Sequence, residues 1–310
     1  MPISTAFAPA TVANLGVGFD IVGLALREPG DTVQAEWSDA HELGVRIASI
    51  EGDGGKLSRD PAKNTASVSA QSVLRLVGEK RGVRLRIQKG LPLASGLGSS
   101  AASAVAGAMA VNALLGEPLS KAELLPACLD GEAMVSGRHA DNVAPCLFGG
   151  ITLIYGTDAS EIVQLPIPAN LWLALVTPAV EVPTAQARAV LPQMIPLKQM
   201  VAQTAGVARL IDALHRCDLE GMAAAMESDG VVEAARAHLM PMLIEVRAAA
   251  KAAGALGLAI SGAGPTLCAV CDGSAVAERV AEAMTAIYNN VHIASQARCT
   301  QIATDGARIV

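Results

Sequence analysis

The chain of 310 residues is long enough for two domains of ordinary size, each with its own hydrophobic core. Its formal net charge of −6 and its pI near 5.4 argue against a broad nucleic-acid-binding surface, so no nucleic-acid partner is expected. Although 52% of the residues are hydrophobic, Asn112 interrupts the longest apolar run, 101–115, which is shorter than the ~20 residues that span a bilayer, so no membrane partner is expected.

The N-terminal segment and the cysteines predict a cytoplasmic protein with reduced thiols. The N-terminus lacks a basic region, and Asn14 and Asp20 interrupt any apolar core, so the segment does not resemble a secretory signal. The only C-x-x-C pair, Cys268 and Cys271, lies in an apolar, strand-like run without the second pair that a zinc site needs. We therefore expect six free and mostly buried thiols.

The first segment, residues 4–26, predicts a strand, a turn at 14–18 and a second apolar run. Asn14 and Asp20 are the only strongly polar side chains between Thr11 and Arg27. Two interpretations stay open for this pair. The residues can form the turn and cap a helix, as these residue types often do, or they can belong to a functional site.

Residues 83–107 predict a strand, a glycine-serine loop and a helix, in that order. Apolar and polar side chains alternate over 83–88, as in a half-buried strand. Gly96 and Gly98 allow a tight turn, and Ser99 and Ser100 open an alanine-rich helical run. Unpaired N–H groups at a helix N-terminus, together with the helix dipole, favour a phosphate. A serine hydroxyl of this loop can also bind a phosphate-associated Mg²⁺.

Three other interpretations of this loop compete with the phosphate site. The Walker motif is absent because Ser99, rather than lysine, follows Gly98. A dinucleotide-binding loop fits poorly because residues 89–95 separate the glycines from the strand, and the acidic residue at the right distance, Glu117, precedes Pro118 in a turn. The third is an ordinary loop that starts a buried helix.

The twelve residues of 92–103, P-L-A-S-G-L-G-S-S-A-A-S, closely resemble the phosphate-loop motif of the GHMP kinases. Asn64 reads as the N-cap of a helix that runs to Leu76, and its match in that family lies near the adenine. The resemblance therefore implies an ATP site formed by Asn64, Lys89, Pro92, Leu93, Ala94, Ser95, Gly96, Leu97, Gly98, Ser99, Ser100, Ala101 and Ala102.

A second polar cluster begins near the end of a predicted helix over 119–136. Within the otherwise apolar residues 131–150 stand Glu132, Arg138, His139, Asp141 and Asn142. Charged residues at a helix end are often solvated surface groups. However, phosphoryl transfer needs a cation that bridges the phosphates, and an isolated carboxylate such as Glu132 is a suitable Mg²⁺ ligand.

Two segments resemble one subfamily, the homoserine kinases: A-P-A-T-V-A-N-L-G-V-G-F-D-I-V-G-L-A-L (8–26) and H-A-D-N-V-A-P-C-L-F-G-G (139–150). The resemblance implies a metal site of Ser100 and Glu132. It also implies that Asn14, Asp20 and His139 bind the substrate and that Asn142 lies by the transferred phosphate. Glu132 precedes His139 by seven positions, whereas many relatives have eight.

The rest of the chain predicts strands at 151–155, 162–165 and 171–176, helices at 198–216, 218–228, 241–253 and 274–288, and a closing strand at 294–303. Arg188 is either a solvent-facing arginine on a short helix or a carboxylate ligand, since the guanidinium fork fits a carboxylate. The resemblance implies that Arg188 and Arg236 bind the substrate carboxylate and that Thr184 lies at the active site.

The segment L-A-I-S-G-A-G-P-T (258–266) predicts a strand followed by a glycine turn and resembles the third GHMP kinase motif. Its glycines are expected to let this turn approach the phosphate loop closely. No internal repeat or low-complexity tract is present.

The resemblance spans nearly the whole chain and implies a two-domain α+β GHMP kinase fold. Its N-terminal domain, 1–155, is expected to resemble domain 2 of ribosomal protein S5 and to bind the nucleotide. Its C-terminal domain, 156–310, is expected to be ferredoxin-like and to contribute to the substrate cleft. Members of the group are commonly homodimers.

The implied reaction is the ATP- and Mg²⁺-dependent phosphorylation of the side-chain hydroxyl of L-homoserine to O-phospho-L-homoserine, in threonine biosynthesis. Asn142, Asp20 and Arg188 are the implied catalytic residues, and whether any side chain acts as a general base stays open. The alternatives are a mevalonate-type kinase and a catalytically silent relative that binds ligand for regulation.

Overall fold

The computed structural model describes residues 2–39 and 43–310. The first half of the chain contains β1 (Ile3–Ala13), β2 (Val22–Trp37), β3 (Val45–Glu51), α1 (Thr65–Val77), β4 (Val83–Gln88), α2 (Ser99–Leu114), α3 (Lys121–Glu132), α4 (Ala140–Phe148), β5 (Ile151–Ile154) and β6 (Ile162–Leu165). The second half contains β7 (Leu171–Pro178), α5 (Thr184–Ala189), α6 (Leu197–His215), α7 (Leu219–Met226), α8 (Val232–Arg236), α9 (Leu243–Ala252), β8 (Gly257–Ile260), β9 (Leu267–Asp272), α10 (Ser274–Asn290), β10 (Ser295–Thr300) and β11 (Arg308–Ile309).

The first sheet is built around the long strand β2. The strands follow the order β11-β1-β2-β4-β3, and β5 pairs with the first residues of β2 and carries β6 on its other edge. All pairs in this sheet are antiparallel except β3 with β4. In β4, Val83, Leu85 and Ile87 are buried, which confirms the half-buried strand predicted from the alternation.

Helices cover one face of this sheet, and α2 lies at their centre. Residues 101–112 of α2 are buried on every side of the helix. Its side chains are mostly alanine and other small residues, so α1, α3 and the sheet can pack closely around it. The helix predicted over 119–136 ends at Glu132, and residues 133–136 form turns.

The second sheet has the order β10-β7-β9-β8 with every pair antiparallel. Along the chain, helices separate β7 from β8 and β9 from β10, which is the βαββαβ arrangement of ferredoxin-like domains. Cys268 and Cys271 lie in β9, where burial raises the pKa of both thiols to about 12.

The two sheets do not follow the division predicted at residue 155. Strands β6 and β11 both lie beyond that residue, yet both pair within the first sheet. β11 pairs with the edge of β1 that β2 leaves open, and a short strand of this kind blunts a sheet edge. The sheets thus differ from the division at residue 155 by these two strands, and the boundary between the domains itself stays a prediction.

All six cysteines are free; Cys128, Cys146, Cys268 and Cys271 are buried, whereas Cys217 is exposed. Within residues 2–39 and 43–310, no helix is both long and apolar enough to cross a membrane.

Candidate active site

One cavity of about 410 Å³ lies where the phosphate loop, the N-termini of α4 and α5 and the turn between β8 and β9 meet. Of the residues that the sequence assigned to a site, it is lined by Asn14, Asp20, Asn64, Lys89, Leu93, Ala94, Ser95, Gly96, Gly98, Ser99, Ser100, Glu132, Asn142, Thr184, Arg188 and Arg236. The others do not line it: Pro92, Leu97, Ala101, Ala102 and His139. Leu97, Ala101 and Ala102 are buried in the core beneath the loop.

The phosphate loop turns into α2 at Gly98, which is the N-cap and has a φ of +63°. This cap makes no side-chain hydrogen bond, so the first N–H groups of α2 have no capping partner. A Cβ atom on Gly98 would lie 2.0 Å from Thr11 Oγ1 and 2.8 Å from Asn142 Oδ1, so only glycine fits. The helix N-terminus is therefore open to an anion at the cavity wall.

The turn between β8 and β9 holds the same loop from its other side. The hydroxyl of Ser261 donates to the carbonyl of Gly96 at 2.7 Å, and that of Thr266 donates to the carbonyl of Ser95 at 2.6 Å. A Cβ atom on Gly96 would lie 2.3 Å from the carbonyl oxygen of Ser261. The close approach predicted for the third motif is confirmed.

Asn142 presents its amide NH₂ group to the cavity. The hydroxyl of Thr11 donates to Oδ1 of Asn142 at 2.7 Å, at the base of the phosphate loop. With Oδ1 directed at Thr11, the NH₂ end of the side chain has two donors for a ligand. An oxygen of a phosphate or of an alcohol would be a suitable acceptor.

Lys89 lies at the bottom of the cavity, and its ammonium group is fully engaged by the protein. It is paired with the buried carboxylate of Asp31 and donates to the carbonyl of Ser99 and to the hydroxyl of Ser103, both at 2.8 Å. An ammonium has three N–H donors, and these three acceptors use them all. Lys89 thus supports the first residue of α2 from below.

Glu132 and Ser100 face each other across the start of α2. The hydroxyls of Ser100, at 3.0 Å, and of Ser136 donate to Oε1 of Glu132, whereas Oε2 is buried with no hydrogen-bond partner in the described chain. Burial raises the pKa of Glu132 to about 7. A buried carboxylate oxygen without a partner, beside a hydroxyl, fits a divalent cation.

Arg188 and Asp20 form a two-pronged ion pair at the opposite end of the cavity. The guanidinium donates from Nη2 to Oδ1 at 2.8 Å and from Nη1 to Oδ2 at 3.0 Å. His139 Nδ1 lies 3.7 Å from Asp20 Oδ2, behind the pair. Burial, reinforced by the positive charge of Arg188, lowers the pKa of His139, which favours the neutral imidazole.

Arg236 is only 3% exposed and is held by two backbone carbonyls. Its Nε donates to Ala187 and its Nη1 donates to Gly262. The ring of Phe19 lies between the two arginines, with its centroid 5.2 Å from Cζ of Arg236 and 5.5 Å from Cζ of Arg188. Two cationic groups with fixed positions therefore line this end of the cavity.

Asn14 connects these elements. Its NH₂ group donates to the carbonyl of Gly262, and its Oδ1 accepts the backbone N–H of Asp20. The turn-forming interpretation of Asn14 agrees with these bonds and with its φ of +76°. Asn64 is likewise an N-cap, since its Oδ1 accepts the N–H of Ala66 while the residue lines the cavity.

Comparisons with known proteins show the family of this chain. Two family models match the chain: GHMP kinases N terminal domain over residues 64–150, and GHMP kinases C terminal over residues 210–290. A homoserine kinase from Chloroherpeton thalassium is 40% identical over 316 residues, which cover 99% of both chains. This chain belongs to the GHMP kinase family.

Two further GHMP kinases extend the comparison. A homoserine kinase of Arabidopsis thaliana is 42% identical over 98% of this chain and 84% of its own length. The crystal structure of homoserine kinase from Cytophaga hutchinsonii superposes with a TM-score of 0.95 at 42% identity, covering 100% of this chain and 98% of that chain. The predicted α+β GHMP kinase fold is thereby confirmed.

The sequence indicated no role for Asp141, which lines the cavity, or for Thr11, which contacts Asn142. Asp141 is 5% exposed, and burial raises the pKa of its carboxyl to about 6, with a further rise from the neighbouring charge of Asp20. An acidic residue in the first turn of a helix is common, so the position of Asp141 at the start of α4 did not indicate a functional role. Thr11 carried no signal, since its contact with Asn142 joins residues 131 positions apart.

Proposed function

We propose that this GHMP kinase transfers the γ-phosphoryl group of ATP to the side-chain hydroxyl of L-homoserine, giving O-phospho-L-homoserine for threonine biosynthesis. One observation carries the proposal: a single cavity holds an open helix N-terminus at one end and carboxylate and guanidinium groups at the other. The first end suits a polyphosphate and the second suits an amino acid. The relatives described above bear the name homoserine kinase.

The phosphate end is formed by the loop Ser95–Ser100 and the N–H groups of α2. Lys89 and the turn between β8 and β9 keep this loop in place from two sides. Preorganised donors of this kind stabilise the charge of a transferring phosphoryl group without reorganising during the reaction.

Ser100 and Glu132 would hold Mg²⁺, since a buried carboxylate oxygen without a partner lies beside a hydroxyl there. When bound, Mg²⁺ supplies positive charge that neutralises the phosphates. Glu132 and His139 are one position closer in sequence than in many relatives. Glu132 nevertheless lies beside the phosphate loop, since the hydroxyl of Ser100 donates to its carboxylate.

At the other end, we assign the substrate's ammonium group to Asp20 and its carboxylate to Arg188 and Arg236. The NH₂ group of Asn142 lies between the two ends and would orient the attacking hydroxyl or a γ-phosphate oxygen. Asn14 accepts the backbone N–H of Asp20, and the imidazole of His139 lies beside the Asp20 carboxylate, so both residues help to position Asp20. Catalysis then rests on positioning and charge stabilisation, as phosphoryl transfer allows.

The test is ADP release from Mg-ATP by the purified protein, with L-homoserine, D-homoserine, mevalonate and no acceptor in parallel. Turnover with L-homoserine alone is the expected result. Turnover with mevalonate instead would refute the substrate assignment and leave the phosphate site standing. ATP binding without turnover on any acceptor would favour a regulatory relative.

A homodimeric state and a cytoplasmic location, both expected from the sequence, stay predictions. Sedimentation equilibrium over a range of protein concentrations would test the first, and cell fractionation the second.

A further inference from the structure

Thr11 is a polar residue in the most deeply buried part of β1. Residues 8–13 of this strand are buried throughout, and Thr11 is 0% exposed among alanine, proline and valine. The pairing of β1 with β2 shifts between Pro9 and Thr11, and an irregularity of this kind changes where the next side chain points. Burying a hydroxyl is unfavourable unless it is hydrogen-bonded, so a threonine at this position needs a partner.

The partner of this hydroxyl is the side chain of Asn142, and the backbone holds Thr11 in place to reach it. The N–H of Thr11 donates to the carbonyl of Leu97 at 3.1 Å, which fixes the residue against the phosphate loop. Its hydroxyl donates to Oδ1 of Asn142 at 2.7 Å. Gly98 leaves the room for this contact, since a Cβ atom there would lie 2.0 Å from Thr11 Oγ1. Three segments, β1, the phosphate loop and α4, therefore meet at one hydrogen bond.

This hydrogen bond decides which end of the Asn142 amide faces the cavity. The terminal torsion of an asparagine is broad and roughly two-fold, so the oxygen and the NH₂ group can exchange places unless a neighbour distinguishes them. Within residues 2–39 and 43–310, the bond from Thr11 is the one side-chain hydrogen bond of this amide. Donation to Oδ1 is compatible only with the orientation in which the NH₂ group faces the cavity.

We propose that Thr11 is a positioning residue for phosphoryl transfer, which acts through Asn142 and touches neither substrate. Its hydroxyl holds Oδ1, so that the NH₂ group is directed at the reacting oxygens before the substrates bind. This inference rests on the proposed function and deepens it, because it extends the machinery to a residue outside the cavity wall. A donor that is already oriented stabilises developing charge without reorganising, whereas a free amide must first be ordered.

A double-mutant cycle with Asn142→Ala tests this role. Thr11→Val and Thr11→Ala both remove the hydroxyl, and each should lower kcat on the order of tenfold, while both KM values change by less than about twofold. Thr11→Ser keeps the donor and should retain most of the wild-type kcat. In the Asn142→Ala background, loss of the hydroxyl should lower kcat no further, because the group that it positions is absent.

The matched control is Thr152→Val. Thr152 is a fully buried threonine on β5, it does not line the cavity, and its hydroxyl donates to the carbonyl of Gly23. This variant should leave kcat unchanged. An unchanged kcat in both Thr11→Val and Thr11→Ala overturns the proposal. An equal loss of kcat with and without the Asn142 side chain also overturns it, since a purely structural role gives that result.

The positioning role and the substrate assignment fail in distinguishable ways. The cycle is measured with whichever alcohol the wild type phosphorylates, so turnover of mevalonate instead of L-homoserine would refute the substrate alone. The side-chain amide signals of Asn142 in heteronuclear NMR, identified by their absence in Asn142→Ala, need no turnover. A non-hydrolysable ATP analogue with Mg²⁺ should shift them in the wild type and less in Thr11→Val. Equal shifts in the two proteins overturn the positioning role.

Discussion

At the residue scale, three carboxylates line the cavity, of which one is paired with a cationic side chain and two are not. Asp20 is paired with Arg188. Glu132 and Asp141 have no cationic side chain as an ion-pair partner in the described chain, and burial raises the pKa of both. A buried carboxylate without a counter-charge destabilises the empty site and favours the binding of ligands that carry positive charge.

We expect Glu132→Gln to lower turnover at least tenfold at saturating ATP with free Mg²⁺ held constant. The amide keeps the shape of the side chain and loses the charge that a divalent cation requires. Steady-state ADP release measures the effect, with Glu278→Gln, an exposed position on α10, as the control. An unchanged rate would rule out Glu132 as a metal ligand.

We expect Asp141→Asn to be more stable than wild type at pH 7. The pKa of the Asp141 carboxyl is about 6 in the folded protein, compared with its ordinary value of 3.8. The folded state therefore binds this proton more tightly than the unfolded state does. Stability therefore falls as the pH rises through this window, on the order of 3 kcal/mol in all. The asparagine side chain of Asp141→Asn does not ionise, so the variant does not lose this stability as the pH rises.

Urea unfolding of both proteins at pH 7 and pH 5 is the measurement. The advantage of the variant should shrink at pH 5, where the folded wild type retains its proton. An advantage of equal size at both pH values would show that the charge of Asp141 is not its cause. We also expect the more stable variant to be less active, because the charge belongs to the cavity.

At the element scale, the glycine-serine loop depends on the turn between β8 and β9, more than 160 residues away. We expect Thr266→Val to raise the KM for ATP about three- to tenfold, because the valine cannot donate to the carbonyl of Ser95. The KM for the alcohol substrate should change little. The control is Thr285→Val, whose hydroxyl bonds only within α10.

A parallel rise of both KM values would contradict this assignment and would indicate a general loosening of the cavity. The backbone N–H of Thr266 also donates to Ser95, so the variant weakens the contact without abolishing it.

At the scale of the whole molecule, the cavity joins the two sheets, and each sheet carries one of the two tryptophans. Trp37 ends β2 and Trp172 lies in β7. Because hydrogen bonds from the β8–β9 turn hold the phosphate loop, we expect the sheets to unfold together. The variants Trp37→Phe and Trp172→Phe should therefore show fluorescence transitions with the same midpoint.

A non-hydrolysable ATP analogue with Mg²⁺, at about 100 times its Kd, should shift both midpoints by the equivalent of about 2.7 kcal/mol. Two separated transitions, or a shift at one tryptophan only, would contradict the coupling of the sheets.

The sequence by itself determined the features that depend on a few neighbouring residues. The alternation in β4, the N-cap at Asn64 and the order of strand, glycine loop and helix around Gly98 were all predicted correctly. These features follow from backbone geometry and side-chain periodicity, which act over one or two turns of chain. Together with the resemblance they were sufficient for the family.

Only the tertiary structure decided which distant groups meet. Residues 168 positions apart form the Asp20–Arg188 pair, Lys89 is committed to Asp31, and β6 and β11 return to the first sheet. Such contacts leave no local pattern, because burial and counter-charges are set by chain segments that approach only on folding. The physical state of each candidate residue, paired or free, is therefore a property of the fold.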